Sequence, residues 1–385
     1  MQIHNYYQYP GGEDVVVANE NQLLQSKGNE VYQYLRDNKE INNFNLLQKV
    51  NLLQKTYWAK DSYNEVINVI KKVKPDICHV HNVMPLISPS VFYACKKMAV
   101  PVVHTLHNYR LLCPNAYLFR DGAICNECLR HSAYHTLKYG CYRGSRLQTF
   151  ALSRMIEEHK KKNTWHQYID AYICLTDSAR NKFIEGGLPE EKLYVKPNFL
   201  ANDPGVSEQV GRGFIFAGRL DETKGIKILI EAIRRNEIIE TIRIAGDGKY
   251  SKKIRSLIGK RYLGQLKNTE LLREIKKSMA LIFPSIWYET FGLLIIESFA
   301  CGKPVIASRL GAMAEIIRHG ETGLLFNPGD AQDLAQKLKW AVEHKKEMKR
   351  MGINARKEFE EKYTAEKNYA MLMNIYQKAI ENNHA

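Results

Sequence analysis

The chain has no apolar run near the roughly 20 residues needed to cross a bilayer, which excludes an ordinary membrane-spanning helix. Its opening residues, MQIHNYYQYP, lack a basic segment followed by an apolar core, so no secretory signal is visible. The expectation is a soluble, cytoplasmic chain. Cysteine is sparse, eight in 385 residues, too few for a disulfide scaffold, and a cytosol keeps such thiols reduced. The early Gly11-Gly12 pair is not followed by Gly-Lys-Ser/Thr and does not fit Gly-x-Gly-x-x-Gly, so it is neither a P-loop nor a dinucleotide fingerprint. No Asp-x-Asp stands in a metal-binding context, and no aromatic-basic interleaving points to a nucleic-acid partner.

What is present is an ordinary globular composition, 45% hydrophobic and 25% charged, which argues against general disorder. The length suits two domains at about 100–200 residues each. Lys plus Arg number 56 and Asp plus Glu 41, a formal charge of +15. The surplus is local. Lys96 to Lys162 holds 12 basic and 4 acidic residues, whereas residues 1–95 sum to zero. Such a cluster favours an anionic partner, and a plain solvated basic face is the alternative.

Along the chain, β-rich apolar segments alternate with helical ones, the pattern of an α/β protein with parallel sheets. Asp76 to His81, Val100 to His107 and Ala171 to Thr176 read as buried strands. Ser90 to Met98 reads as a helix, Asp177-Ser178 offers an N-cap, and Val195 to Asn198 reads as a late edge strand. Ala201 to Gly213 is polar, carries Pro and three Gly, and reads as a linker. The alternation then restarts. Strands are expected at Gly213 to Gly218, Thr241 to Gly246, Ala280 to Pro284, Pro304 to Ala307 and Gly323 to Phe326, with helices at Ile226 to Arg235 and Phe291 to Ala300. A last helix, Ala365 to Ile380, places Tyr369, Leu372, Met373 and Tyr376 on one face. Two domains of this type facing each other would form a cleft, with ligands at the carboxyl ends of the strands.

Four features carry chemistry. Glu289 and Glu297 stand eight residues apart in an apolar loop and helix, where a carboxylate is costly unless paired or bound; a hydroxyl-rich ligand satisfies both. Gly292 at the helix start offers backbone N–H groups to an anion. Arg219 and Lys224 follow a strand end, where two cations can hold a diphosphate. The turn Tyr9-Pro10-Gly11-Gly12-Glu13-Asp14, leading into a helix from Val15, lets backbone approach a phosphate. His107 lies at the carboxyl end of a strand, where a structural and a catalytic role are both open.

Taken together, Glu289-x7-Glu297, Gly218-Arg219-Leu220 with Lys224-Gly225, Ala245-Gly246-Asp247-Gly248, Phe283-Pro284-Ser285 and Gly11-Gly12 resemble the GT-B glycosyltransferases, in particular the retaining family 4. The resemblance covers nearly the whole chain. Tyr9 to Glu20, His81 to Ser90 and Thr105 to Asp121 look like its cell-surface polysaccharide branch, capsule enzymes included. It implies two Rossmann-like parallel-sheet domains: residues 1–199 on the acceptor side, with a cysteine-bearing insertion at about 113–141, and residues 200–362 binding a nucleotide sugar. It implies that a helix at 363–385 crosses back to the first domain.

The resemblance also implies roles. Arg219 and Lys224 hold the donor diphosphate. Glu289 meets sugar hydroxyls beside the backbone of Phe291, Gly292 and Leu293, and Glu297 accepts from the ribose. Gly11 and Gly12 approach the phosphate, and His107 lies by the reacting sugar. The base sits near Leu263 to Leu266. The donor is a UDP- or GDP-linked hexose, the acceptor a glycan or a lipid-linked sugar, and catalysis needs no metal cofactor. Two departures stand out. Few residues precede the first strand, which reads as a shortened strand, and Asn108 stands where relatives often carry Asp, which makes His107 more a positioning group than a base.

Cys113, Cys125, Cys128 and Cys141 give Cys-x11-Cys-x2-Cys-x12-Cys. Such a set can build a structural zinc site; four reduced thiols, two of them buried, is the other reading. The neighbouring basic residues suit a lipid-linked acceptor and peripheral attachment at an anionic membrane surface. Three rival readings are a GT-B nucleotide-sugar epimerase, a catalytically inert scaffold of a polysaccharide complex and a basic nucleic-acid binder. The Glu289/Glu297 pair with Arg219/Lys224 argues against the first two, and the last has no motif to support it.

Overall fold

The computed structural model describes residues 1–8, 11–207, 211–235 and 241–384. Tyr9 and Pro10 of the early turn and residues 208–210 of the linker lie outside the described residues. The chain divides into two compact units. One comprises Met1–Arg120, Cys125–Pro197 and the chain from Asn368 onward; the other comprises Asp121–Ile124 and Asn198–Lys367.

The first unit is built on strands β1 (Gln2–Tyr6), β2 (Gln33–Asp37), β3 (Cys78–Val80), β4 (Val102–Thr105), β7 (Ala171–Cys174) and β8 (Leu193–Val195). They run parallel in the order β2-β1-β3-β4-β7-β8. The central strands β3, β4 and β7 are buried along their whole length, as expected of a parallel sheet covered on both faces. Two short strands, β5 (Phe119–Arg120) and β6 (Ala123–Ile124), belong to neither large sheet. The first strand is paired along its whole length. All five of its residues pair with β2, Gln2 opposite Gln33 through Tyr6 opposite Asp37.

The second unit repeats the plan with β9 (Phe214–Ala217), β10 (Ile242–Ala245), β11 (Tyr262–Gly264), β12 (Ala280–Phe283), β13 (Val305–Ser308) and β14 (Gly323–Phe326). The order is β11-β10-β9-β12-β13-β14, again parallel throughout. The helix Ile226–Arg235 buries Ile226, Leu229, Ile230 and Ile233 against this sheet's core, the i, i+3, i+4, i+7 stripe that its sequence shows. In both sheets the strand order reverses next to the first strand of the unit, the position where open α/β sheets form ligand crevices at their carboxyl ends.

Local boundaries differ from expectation in instructive ways. The first helix spans Gly12–Ser26 and begins at Gly12 instead of Val15, because Asp14 caps it: its Oδ2 accepts from Gly11 N at 2.9 Å. The helix after β7 is capped by Thr176, whose Oγ1 accepts from Ala179 N at 3.2 Å, while Asp177 and Ser178 are already helical. The edge strand β8 ends at Val195, and Lys196 beyond it is fully buried. In the last helix, Ala365–His384, the buried stripe is Asn368, Leu372, Ile375, Tyr376 and Ala379. Asn368 Nδ2 donates to Pro197 O at 2.7 Å, tying that stripe to the first unit.

Candidate active site

In the second unit, loops at the carboxyl ends of β9 and β12 bring two predicted residues together. Lys224 Nζ lies 2.6 Å from Glu289 Oε1. The same oxygen accepts from Ser285 Oγ at 2.7 Å, so Ser285 is a partner that sequence reasoning left without a role. Glu289 is buried, and the Lys224 ammonium sits 5.5 Å from the Phe283 ring centroid and 5.6 Å from that of Trp287. Apolar walls of this kind strengthen the field of a held cation, because little water screens it.

The loop carrying Lys224 is itself pinned. Asp221 Oδ1 accepts from Lys224 N at 3.1 Å and from Thr223 Oγ1 at 2.6 Å. Ser285 Oγ donates to Thr223 O at 3.1 Å and Ile286 N to the same carbonyl at 3.0 Å, which locks the β9 loop to the β12 loop. Gly225 makes that approach feasible. It has φ +71°, and a Cβ there would stand 1.8 Å from Pro284 O, closer than any side chain tolerates. Arg219 takes a different place: its exposed Nε lies 3.3 Å from Asp221 Oδ2.

Phe291, Gly292 and Leu293 form the entry to the helix Leu293–Ala300. Gly292 is its N-cap at φ +111°, a conformation that glycine adopts without strain. Glu297, one turn further, does not share Glu289's partners; it accepts from Asn268 Nδ2 at 2.8 Å. Burial pushes its carboxyl above the usual range, and the Asn268 hydrogen bond offsets only part of that. Leu266 is half-buried just past β11, beside Gly264, whose carbonyl accepts from Gly246 N at 2.7 Å.

In the first unit, Gly11 and Gly12 follow β1 at the start of its helix. Glu13 next to them accepts from Tyr7 Oη at 2.9 Å, and burial raises its carboxyl above the usual range. A carboxyl kept neutral there does not repel an approaching phosphate. Asn108 is directed at this group, with Nδ2 3.3 Å from Tyr7 Oη and 3.5 Å from Glu13 Oε2. His107 follows β4, and its Nε2 lies 3.0 Å from His81 Nδ1. Burial, with His81 beside it, holds His107 well below the ordinary histidine pKa, so the ring is neutral at physiological pH.

Behind His81 lies a buried polar group that the sequence did not reveal. Glu20 Oε1 is 2.8 Å from His79 Nδ1 and 3.4 Å from His81 Nε2, and Glu20 Oε2 is 3.4 Å from Lys196 Nζ. His79 Nε2 meets Thr105 Oγ1 at 2.7 Å, and Lys196 Nζ also meets Asn368 Oδ1 at 3.0 Å. Burial alone would raise Glu20, but His79 and Lys196 hold it well below the usual carboxylate range. The partners lie up to 176 residues apart, which is why no local pattern could show them.

The four insertion cysteines are free, with Cys113 buried and Cys125, Cys128 and Cys141 half-buried, so one thiol is buried where two were expected. A hydrogen bond from Cys128 lowers the Cys113 thiol to about 7, and Cys128 is raised in return. Among the described residues, the one set of three metal-capable atoms within 4.8 Å of one another is Glu20, His79 and His81. The cysteine sulfurs gather without closing to that degree.

No residue of the helix Leu46–Lys55 is buried. Leu46, Leu47 and Val50 are 78%, 80% and 57% exposed, and Leu147 and Phe150 of the touching helix Arg146–Lys161 are exposed as well. No helix among the described residues is long and apolar enough to cross a membrane.

Comparison with known proteins covers both units. A family model described as Glycosyltransferase Family 4 matches residues 10–201, and one described as Glycosyl transferases group 1 matches residues 207–358. An uncharacterized glycosyltransferase of Methanocaldococcus jannaschii is 25% identical over 384 residues, covering 97% of this chain and 96% of that protein. A 42.6 kDa protein from the cps region of Klebsiella pneumoniae is 28% identical over 289 residues, 71% and 69% of the two chains. Among solved structures, Anabaena HepE in complex with UDP-glucose superposes with a TM-score of 0.64 at 19% identity, covering 99% of this chain and 98% of that one. That likeness establishes the GT-B fold.

Proposed function

The chain belongs to glycosyltransferase family 4 and is a glycosyltransferase of GT-B fold, and on that premise we propose that it moves a hexose from a nucleoside-diphosphate sugar to a glycan or lipid-linked acceptor, with retention, in cell-surface polysaccharide synthesis. The observation that carries the reading is the Lys224–Glu289 pair at 2.6 Å, held by Ser285 at the carboxyl ends of β9 and β12. A fixed cation there meets the diphosphate, and Arg219 adds a second from the loop edge. As the sugar C1–O bond breaks, negative charge grows on the departing phosphate, and a preorganised ammonium stabilises it without reorganisation.

Glu289 accepts from sugar hydroxyls beside the N–H groups of Phe291, Gly292 and Leu293. Glu297 accepts from the ribose, the base sits near Leu266, Gly11 and Gly12 approach the phosphate, and His107 meets the reacting sugar. The acceptor oxygen bonds to C1 on the face that the phosphate leaves, and its proton passes to the departing phosphate oxygen. The residues 1–199 act as the acceptor-side domain and 200–362 as the donor domain. The donor nucleotide is UDP or GDP; the UDP-glucose bound by HepE supports the former. The cps-region relative supports the polysaccharide role.

The surface around Leu46, Leu47, Val50, Leu147 and Phe150, with Lys49, Arg143, Arg146 and Arg154 nearby in sequence, fits an anionic membrane surface, where apolar side chains insert and basic ones meet headgroups. A structural zinc at Cys113, Cys125, Cys128 and Cys141 belongs to the same reading; metal analysis of freshly purified protein tests it, with about one zinc per chain supporting it and none overturning it. The activity itself is tested by mass spectrometry of reactions with UDP- and GDP-hexoses. A product heavier by one hexose supports transfer, whereas an epimerised donor or no turnover overturns it.

A further inference from the structure

We infer that Asn268 is a positioning residue for donor recognition: its side-chain amide takes one acceptor site of Glu297 and fixes the carboxylate so that the remaining sites meet both ribose hydroxyls, which makes the site selective for ribose over deoxyribose. The inference rests on the reading above that Glu297 accepts from the ribose, and it adds a residue that acts through Glu297 without touching the nucleotide itself.

Asn268 and Glu297 stand 29 residues apart on two helices, and Asn268 Nδ2 donates to Glu297 Oε1 at 2.8 Å. An ionised carboxylate only accepts, so the amide must face it with its nitrogen. Such a carboxylate offers about four acceptor sites on its two oxygens, and the amide fills one. A glutamate free to turn loses rotamer freedom when it binds a ligand. One already held by a hydrogen bond presents its other sites in a fixed plane, and less is lost on binding. Two neighbouring hydroxyls fill two of those sites together. A sugar with one hydroxyl fewer leaves a site unfilled, and an unmade bond of that kind is what rejects an analogue.

The backbone holds Asn268 in place from both sides. Behind it, Gly264 O accepts from Gly246 N at 2.7 Å and Tyr262 Oη donates to Gly246 O at 3.1 Å, which ties the end of β11 to the end of β10. Ahead of it, Glu270 Oε2 accepts from Lys267 N at 2.9 Å and closes the first turn of the helix Asn268–Lys277. The short loop between carries Leu266, so one tethered segment serves both the base and the carboxylate that meets the ribose. Two opposed influences set the Glu297 carboxyl: burial raises it and the Asn268 hydrogen bond lowers it. The helices Asn268–Lys277 and Lys345–Lys362 both pack on Leu293–Ala300. On the first, Glu270 is engaged with Lys267 N, Glu274 with Arg243 and Lys277, and Lys276 with Pro204 O. On the second, Arg356 pairs with Asp203 and Glu360. Cys301, one turn beyond Glu297, is a thiol that burial pushes up to about 12.

The test is calorimetric titration of UDP or GDP, whichever binds, and of its 2′-deoxy form into the full chain, from neutral to acid pH. The unaltered protein is expected to prefer the ribose form by about tenfold or more, the scale of one hydrogen bond to a charged group. Asn268→Asp keeps the shape and suits the first turn of a helix, but it replaces a donor by an acceptor. In that variant the preference shrinks to about threefold or less. The acid-side loss of affinity also moves to higher pH, because the bond that lowered the Glu297 carboxyl is gone and a like charge stands in its place. Asn268→Ala moves both readouts in the same direction with little change in melting temperature, since Asn268 is exposed. A merely structural Asn268 would weaken both nucleotide forms alike and leave the acid limb where it was. An unchanged preference and acid limb in Asn268→Asp overturns the inference, and so does equal affinity for the two forms in the unaltered protein. Unchanged affinity and preference in Glu297→Ala overturns the placement of the ribose instead, which separates the two failures.

Discussion

Lys224 Nζ and Glu289 Oε1 are separated by 65 residues of chain and 2.6 Å of space. Each holds the other where its charge is useful. The buried carboxylate accepts from the ammonium, and the ammonium stays in place because the carboxylate and two aromatic rings confine it.

Removing the cation tests its role. Lys224→Ala is expected to lower kcat/KM by more than 100-fold, on the scale of about 3 kcal/mol for one transition-state charge contact. Nucleoside diphosphate binding weakens with it. Steady-state kinetics on a folded variant check this, and unchanged turnover removes Lys224 from the diphosphate.

Glu297 provides a pH signature. Burial raises its carboxyl, and in the proposed donor site it is the ionised form that accepts from both ribose hydroxyls. As pH falls, Glu297 takes up a proton earlier than an ordinary glutamate at about 4.3, so nucleotide affinity is expected to drop on the acid side at a correspondingly higher pH. Calorimetric titration of the nucleotide across pH checks this; in Glu297→Gln the drop disappears together with most of the affinity.

Gly225→Ala is expected to destabilise the second unit. The backbone φ of +71° alone costs about 1–3 kcal/mol for a side-chain-bearing residue, and the Cβ would overlap Pro284 O at 1.8 Å. Urea unfolding reads the loss. Gly28→Ala, also at positive φ but with open space around it, separates strain from collision and loses less.

Much of this was legible in the sequence because local chemistry dictated it. The buried runs of β9, β12 and β13 are continuous and apolar, as parallel strands covered on both faces must be. The helix Ile226–Arg235 carries its stripe openly. The Glu289, Lys224 and Gly292 positions followed from charges and a glycine set beside such strands. The edge strands β2 and β11 stayed hidden because Gln33–Asp37 buries only Tyr34 and carries polar residues at three of five positions, and Tyr262–Gly264 is too short for a pattern. Ser285 was named within a motif but given no role, and Asn268 was missed, because a lone hydroxyl or amide has no sequence signature of its partner. Glu20, His79, His81 and Lys196 were missed for a different reason: their meeting depends on three separate elements, the first helix, β3 and β8, coming together.

The exposed helix Leu46–Lys55 predicts surface attachment that salt and charge control. Co-sedimentation with vesicles containing anionic lipid is expected to retain the protein, and neutral vesicles to release it. Leu46→Glu with Leu47→Glu is expected to reduce retention severalfold without changing the melting temperature, since neither residue is buried. Equal retention in the double variant removes this helix from the membrane contact.

The most direct measurement is calorimetric titration of UDP and of GDP into the full chain and into Lys224→Ala, with no metal added. The account predicts that one of the two nucleotides binds the unaltered protein and that the variant, folded by circular dichroism, binds it at least tenfold more weakly. Binding of neither nucleotide to the folded protein, or equal affinity in the variant, contradicts a donor site built on the Lys224–Glu289 pair.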